Sequence, residues 1–204
     1  MKIRGLTTGI LALAIAGAAA AAGGGDEKKA ARQSVDEKAM MEAWQKAATP
    51  GDAHKTLEPF VGTWDTKVTT WMQPGAPPEE TMGVSENRWI LGNRFIEQRY
   101  EGQFMGAPFT GIGYTGYDNV KKKYIGSWMD SMGTSIMTST GTADTAGKVM
   151  TFTATMDDPL TGKSMPVKTK ISVADNDHNM MEMWAPAPDG KMYKNMEIVY
   201  TRKK

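Results

Sequence analysis

From Thr63 to Lys204 the chain is a run of short segments rich in Thr, Val, Ile, Met and aromatics, cut at about 8–12-residue intervals by turn formers. The cuts are Gly75-Ala76-Pro77-Pro78, Gly92-Asn93, Gly106-Ala107-Pro108, Asp118-Asn119, Asp144 to Gly147, Asp157 to Gly162, Asp175 to Asp177 and Pro186 to Gly190. Each offers left-handed backbone, a fixed φ or an Asx turn. This pattern predicts an antiparallel meander of about ten strands. A meander that long must hide its edges, and closing on itself does so most simply. The expected fold is all-β: a single closed antiparallel up-and-down barrel with an N-terminal helix.

The first 25 residues differ in kind. Lys2 and Arg4 precede the alanine-rich run Leu6 to Ala22, which is too weakly apolar for a membrane span and ends in the small residues a signal peptidase accepts. The expectation is a signal peptide and cleavage region over 1–25, then a linker and amphipathic helix over 26–50 and the barrel domain over 51–204. The mature protein is then exported, periplasmic or secreted, with no transmembrane segment once the signal is removed. Cysteine is absent, so disulfides and lipidation at a lipobox cysteine are excluded. The barrel must stand on its core.

Charge narrows the function classes. Lys and Arg number 24 against 23 Asp and Glu, and no basic stripe interleaved with aromatics runs across several elements, so nucleic acid is not an expected partner. Lys121-Lys122-Lys123 belongs to a predicted hairpin turn. No P-loop, dinucleotide fingerprint or solenoid repeat occurs. Nothing in the sequence assigns an oligomeric state.

Ser34 stands before Val35-Asp36-Glu37-Lys38 as an N-cap with acidic residues in the first turn. A helix of about 15 residues follows, with Met40, Met41, Ala43, Trp44 and Ala47 or Ala48 forming an apolar stripe ended by Pro50-Gly51. A stripe of this kind packs on its own domain, over a barrel mouth, or serves as a partner-binding arm. A second helical turn from Asp52 through Glu58 delivers Phe60-Val61 to the first strand.

Gly62-Thr63-Trp64 at that entry resembles the calycin arrangement, in which a glycine admits close backbone approach and an indole closes the barrel base. Further segments extend the likeness: Pro50-Gly51-Asp52-Ala53-His54, Gly111-Ile112-Gly113 with Gly116-Tyr117-Asp118-Asn119, and Trp128-Met129-Asp130-Ser131-Met132. Met156-Asp157-Asp158-Pro159 with Thr161-Gly162-Lys163, and Met196-Glu197-Ile198-Val199-Tyr200-Thr201-Arg202, complete it. In that order they resemble the bacterial family called domain of unknown function 1579. The resemblance spans about residues 50 to 204 and implies an exported, lipocalin-like barrel, with no activity, substrate or catalytic residue attached.

Alternation gives the faces, because residues two apart point the same way. Val167, Thr169, Ile171 and Val173 are expected inside, with Lys168 and Lys170 outside. Phe95 to Tyr100 carries polar groups on both faces, so an ionisable or amide pair should point inward. A ten-strand barrel is wider than its side chains fill, so its interior is a candidate cavity. The candidate ligand-binding residues are Trp64, Tyr100, Tyr114, Trp128 and Trp184 as apolar wall, and Arg88, Glu97, Arg99, Asp130 and Glu182 as polar contacts. The same charges could instead pair structurally with no ligand.

No catalytic residue is assigned. Only His54 and His178 exist, both expected at the surface, so neither a Ser-His-Asp triad nor a zinc site with two or more histidines can be built. Seventeen methionines raise soft-metal binding, since thioethers suit Cu(I). Alternation separates Met180 from Met181 and Met183, however, and methionine also fills irregular cores. No metal or other cofactor is therefore expected. The leading reading is a barrel that binds a small apolar or amphipathic molecule. The alternative is a structural or partner-binding envelope protein with a filled barrel, and an enzyme using barrel carboxylates comes third.

Overall fold

The computed structural model describes residues 37–204 except Leu160. The expected signal region and the linker up to residue 36 lie outside the described residues. The elements are α1 (Glu37–Ala48), α2 (Asp52–Lys55), a 3-10 turn (Glu58–Phe60), and then strands only: β1 (Gly62–Thr70), β2 (Glu79–Ile90), β3 (Phe95–Phe104), β4 (Ala107–Asp118), β5 (Lys123–Asp130), β6 (Met137–Ala143), β7 (Val149–Asp157), β8 (Ser164–Val173), β9 (His178–Pro186) and β10 (Met192–Arg202). Each strand pairs with its sequence neighbours, and β1 pairs antiparallel with β10, so the sheet closes into an up-and-down barrel. Closure satisfies every ladder and leaves no free edge.

All eight punctuated sites fall in or beside a connection. A ninth turn, between β5 and β6, was not legible in the sequence. It spans 131–136 and contains Gly133 but no Pro, Asn or Asp. Asp130 makes it from the last position of β5, where its Oδ1 accepts the Met132 amide at 2.9 Å.

The faces follow from burial and register. Trp64 and Thr66 are fully buried while Asp65 and Lys67 between them are exposed. Stepping from Trp64 to its register partners Ser85 and Arg202, and onward around the barrel, sets the inward parity of every strand. The β8 expectation holds: Val167, Thr169, Ile171 and Val173 face in, and Lys168 and Lys170 face out.

The approach to β1 plugs one end, here called the base. Leu57 is buried against Ile96, Tyr124, Met150 and Phe152, with Ala53, Phe60, Trp89, Tyr117 and Ile171 around them. Trp64 is locked from both sides. Its Nε1 donates to the Phe60 carbonyl at 2.9 Å, and the Arg202 guanidinium lies 4.1 Å from its ring centroid. Arg202 is pinned by the carbonyls of Asn176, Val61 and Pro59 at 2.7, 2.7 and 3.1 Å. Gly62, at φ 130°, leaves room for that guanidinium where a Cβ would stand.

Two expectations need correction. The α1 stripe covers no mouth, since no residue of the helix is buried and Met40, Met41 and Trp44 are exposed. Its C-terminal end is held, where Arg94 donates to Ala48 O at 2.9 Å and Asn119 to the carbonyls of Ala47 and Thr49 at 3.0 and 2.8 Å. These bonds satisfy carbonyls that a helix end leaves unpaired. They fix the end of α1 without burying its apolar face.

His54, expected at the surface, is buried in the base, because α2 turns its ring under the barrel edge-on to Tyr117. Its Nδ1 accepts the Gly51 amide at 3.1 Å. Burial first, then the Arg94 charge, pushes the imidazole below its ordinary value of 6.5, against a backbone hydrogen bond with Tyr117. The folded value is depressed, so the stability linked to this group is present above pH 6.5 and is lost as pH falls through the folded value. The urea midpoint should therefore drop between about pH 7.5 and about pH 5, and His54→Gln should remove part of that drop. Identical drops in the two proteins would rule His54 out as the source.

Candidate functional site

The ten residues singled out in the sequence divide into three groups. Trp64, Tyr100, Trp128 and Asp130 face the inside. Arg88, Glu97, Arg99 and Tyr114 form one cluster on the outer wall of β2, β3 and β4. Glu182 and Trp184 belong to a second outer cluster on β9. The expected inward placement of these last six is thus corrected. The register decides it: Glu97 and Arg99 share parity with solvent-exposed Glu101, whereas Gln98 and Tyr100 share parity with buried Ile96. The amide, not the ionisable pair, is the polar group that turns inward.

On the outer wall, Glu97 Oε1 accepts from Arg99 Nε at 2.8 Å and Arg88 Nη2 at 2.9 Å, and Tyr114 donates to Oε2 at 3.4 Å. The Glu97 side chain is only 8% exposed beside the Arg99 and Arg88 side chains, which are 53% and 68% exposed. The Arg99 hydrogen bond foremost, reinforced by Arg88 and opposed by desolvation, holds its carboxyl below the usual range. Beside this cluster, Phe95, Tyr114, Ile125, four threonines of β6 and β7 (Thr138, Thr140, Thr153, Thr155), Ser139 and Ala154 border an open depression of about 680 Å³. In the second cluster Glu182 meets Lys170 at 3.7 Å and Lys194 at 3.4 Å, and Lys194 lies 5.3 Å from the Trp71 ring centroid.

Inside, a polar belt crosses the barrel above the base. Asn87 Nδ2 donates to Phe60 O at 2.8 Å, Ser85 Oγ to Asn87 Oδ1 at 2.9 Å, and Gln98 Nε2 to Ser85 Oγ at 2.8 Å. Gln98 also bonds Tyr200, whose phenol burial pushes up to about 12. Thr66, Tyr200 and Asn179 share one row across β1, β10 and β9. Three atoms of this belt, Thr66 Oγ1, Tyr100 Oη and Asn179 Oδ1, are buried without a hydrogen-bond partner. All three lie out of contact with solvent, so the belt forms a floor.

Above that floor the inward side chains are less completely buried. Thr169, Met181 and Met183 face inward yet are only half-buried; Ser139 and Ala154 also face inward by register, and they line the outer depression as well. Two large rings leave space because they lie along the wall over glycines. Tyr100 covers Gly83 and Gly102 and Trp128 covers Gly111, positions where any Cβ would collide with the ring, and a Cβ at Gly113 would crowd Trp128. Trp128 Nε1 donates to Asp130 Oδ2 at 2.8 Å, which fixes the indole in that pose. Six methionines face this upper lumen: Met137, Met156, Met165, Met181, Met183 and Met196. By the same parity, the inward charged side chains among the described residues are Arg202 at the base and Asp130 and Glu79 at the rim.

Sequence reasoning missed the belt and the methionine wall. The belt residues Thr66 and Tyr200 were signalled only by their two-residue spacing from Trp64 and Arg202. The methionines are spread over five strands and become neighbours only through register. Of the four inward candidates, Trp64 has no exposed surface and belongs to the base. Trp128 and Asp130 face inward toward the opposite rim and are half-buried.

Among the described residues, no helix is long and apolar enough to cross a membrane. The fold is similar to that of Rv2717c from M. tuberculosis, at 17% identity and a TM-score of 0.55, covering 76% of this chain and all of that one. It is also similar to the S-type phycobiliprotein lyase CPES from Guillardia theta, at 14% identity and a TM-score of 0.51, covering 78% and 97%. Likenesses at such identities show the barrel fold. No curated protein matches the chain in sequence. Residues 49–202 match the family described as "Protein of unknown function (DUF1579)", and with most of its length inside that match the chain belongs to this family.

Proposed function

We propose that the protein binds a small apolar or amphipathic molecule in the upper lumen. The observation that carries this reading is the half-burial of inward Thr169, Met181 and Met183 above the buried polar belt. A barrel built only for stability fills that space, since apolar walls gain from packing against one another. A methionine wall adapts to a guest's shape because thioether chains are unbranched, flexible and polarizable. Export to the periplasm or the medium is part of the proposal and rests on Lys2 and Arg4 before the apolar run Leu6 to Ala22.

The test is a neutral hydrophobic fluorophore, N-phenyl-1-naphthylamine, added to wild type and to Ala154→Trp. Ala154 faces the lumen from β7, so an indole there occupies the proposed site. Wild type should bind the probe with enhanced, blue-shifted emission, and Ala154→Trp should bind it about tenfold or more weakly, a loss of at least ~1.4 kcal/mol. Equal binding by the two proteins would end the lumen reading.

One observation favours a second reading, partner binding. Met40 and Trp44 are 43% and 69% exposed on a helix that buries nothing. On that reading Trp44→Ala, not Ala154→Trp, abolishes the protein's interaction.

A further inference from the structure

We infer that Met137, Met156 and Met165 form a thioether site for a soft monovalent cation, Cu(I) or Ag(I), at the open rim of the barrel. Alternation along one strand cannot bring three sulfurs together. Register does. Met156 of β7 is paired with Met165 of β8. Continuing the Ser139 to Ala154 pairing to the next inward position sets Met137 of β6 opposite Met156. Met137 is in turn the partner of Trp128 on β5. Four inward residues on four adjacent strands therefore make one row: Trp128, Met137, Met156 and Met165.

Directly opposed residues have Cβ atoms about 4.5–5.5 Å apart, and methionine has three rotatable bonds past Cα. The two outer thioethers can therefore lean toward the middle one and share a cation. None of the three is fully buried, and Met156 is 38% exposed, so an ion arrives from solvent. Thioether sulfur is a soft donor that selects Cu(I) and not Zn(II), Mg(II) or Ca(II). Trp128 ends the row with an indole face that attracts cations, its ring fixed by the bond to Asp130. The Asp130 carboxylate adds the nearby negative charge. Among the described residues no group of three or more His, Cys, Asp or Glu is placed to hold a harder metal.

The experiment titrates Ag(I) in chloride-free buffer, and Cu(I) under anaerobic conditions against bicinchoninate, into wild type and into a variant carrying Met137→Leu, Met156→Leu and Met165→Leu. Leucine for methionine keeps volume and is well tolerated, and an unchanged melting temperature confirms that the variant is folded. Wild type should take one equivalent with quenching of tryptophan emission and a sulfur-only coordination shell by X-ray absorption. The triple variant should lose at least about a hundredfold in affinity. Trp128→Phe should abolish the quench while keeping a bound equivalent, and Met40→Leu with Met41→Leu should change nothing. Equal affinity in wild type and triple variant, or an affinity for Zn(II) matching that for Cu(I), would overturn the assignment. Probe binding in the lumen is measured separately with N-phenyl-1-naphthylamine, so the two proposals stand or fall independently.

Discussion

Replacing Trp64 by alanine should lower stability by about 3–5 kcal/mol, the cost of emptying a fully buried aromatic site. For a folded unit of this size that is a fall of roughly 6–20 °C in melting temperature. The cost lies at the high end for a local reason. Trp64 is completely buried, donates to the Phe60 carbonyl and carries the Arg202 guanidinium on its face. Removing it opens a cavity and strips the cation of its ring. It also frees the Phe60 carbonyl to a single donor, Asn87. Trp64→Phe should recover part of the loss, keeping a ring under Arg202 without the indole donor. Thermal unfolding of the three proteins checks this, and a Trp64→Ala melting temperature within a degree or two of wild type would deny the base its role as the barrel's anchor.

The second large effect has the opposite sign. Thr66→Val and Tyr100→Phe should each stabilise the protein by about 1–3 kcal/mol, because each removes a buried polar atom that has no partner. Valine nearly matches threonine in shape, and phenylalanine keeps the ring that lies over Gly83 and Gly102. Neither change opens a void. The two sites flank Gly83 and are close enough to couple, so the double variant should deviate from additivity. Urea unfolding measures all three. Destabilisation by both single variants would mean that the hydroxyls are satisfied by bound water and that the floor is wet.

The strand count and antiparallel closure were readable because turn chemistry is local. Gly92-Asn93, Gly106 and the Asp144 to Gly147 segment force reversals whatever they later pack against. The turn at 131–136 escaped because it is made by a side chain at a strand end, Asp130, which the sequence offered as a lumen contact. Gly62-Thr63-Trp64 was legible as the base, but its lock on Arg202 joins residues at opposite ends of the barrel sequence and exists only after closure. The α1 stripe was legible as amphipathic. What it covers was not, since periodicity describes a face and says nothing of its neighbour.

Ionisable residues misled the reading of the site. In β3, Glu97 and Arg99 alternate with Gln98 and Tyr100, and alternation yields two faces without saying which is inside. Burial of unpaired charge is costly, and the fold turns Arg88, Glu97 and Arg99 to the outer wall, where the two arginines pair with the carboxylate. The neutral Gln98 and Tyr100 go inward. The seventeen methionines were equally ambiguous until cross-strand pairing selected six for one lumen wall.

What the sequence by itself determined is the class of fold, the number of reversals to within one and the family, because these rest on backbone preferences and a period of two within each strand. Only the tertiary structure decided which face is the interior, where the charges pair, and that thioethers from β6, β7 and β8 share a row beside Trp128. The physical reason is register: a one-residue slip between strands exchanges inside for outside, and the register of ten strands is set jointly by closure and by the packed base, not by any one segment.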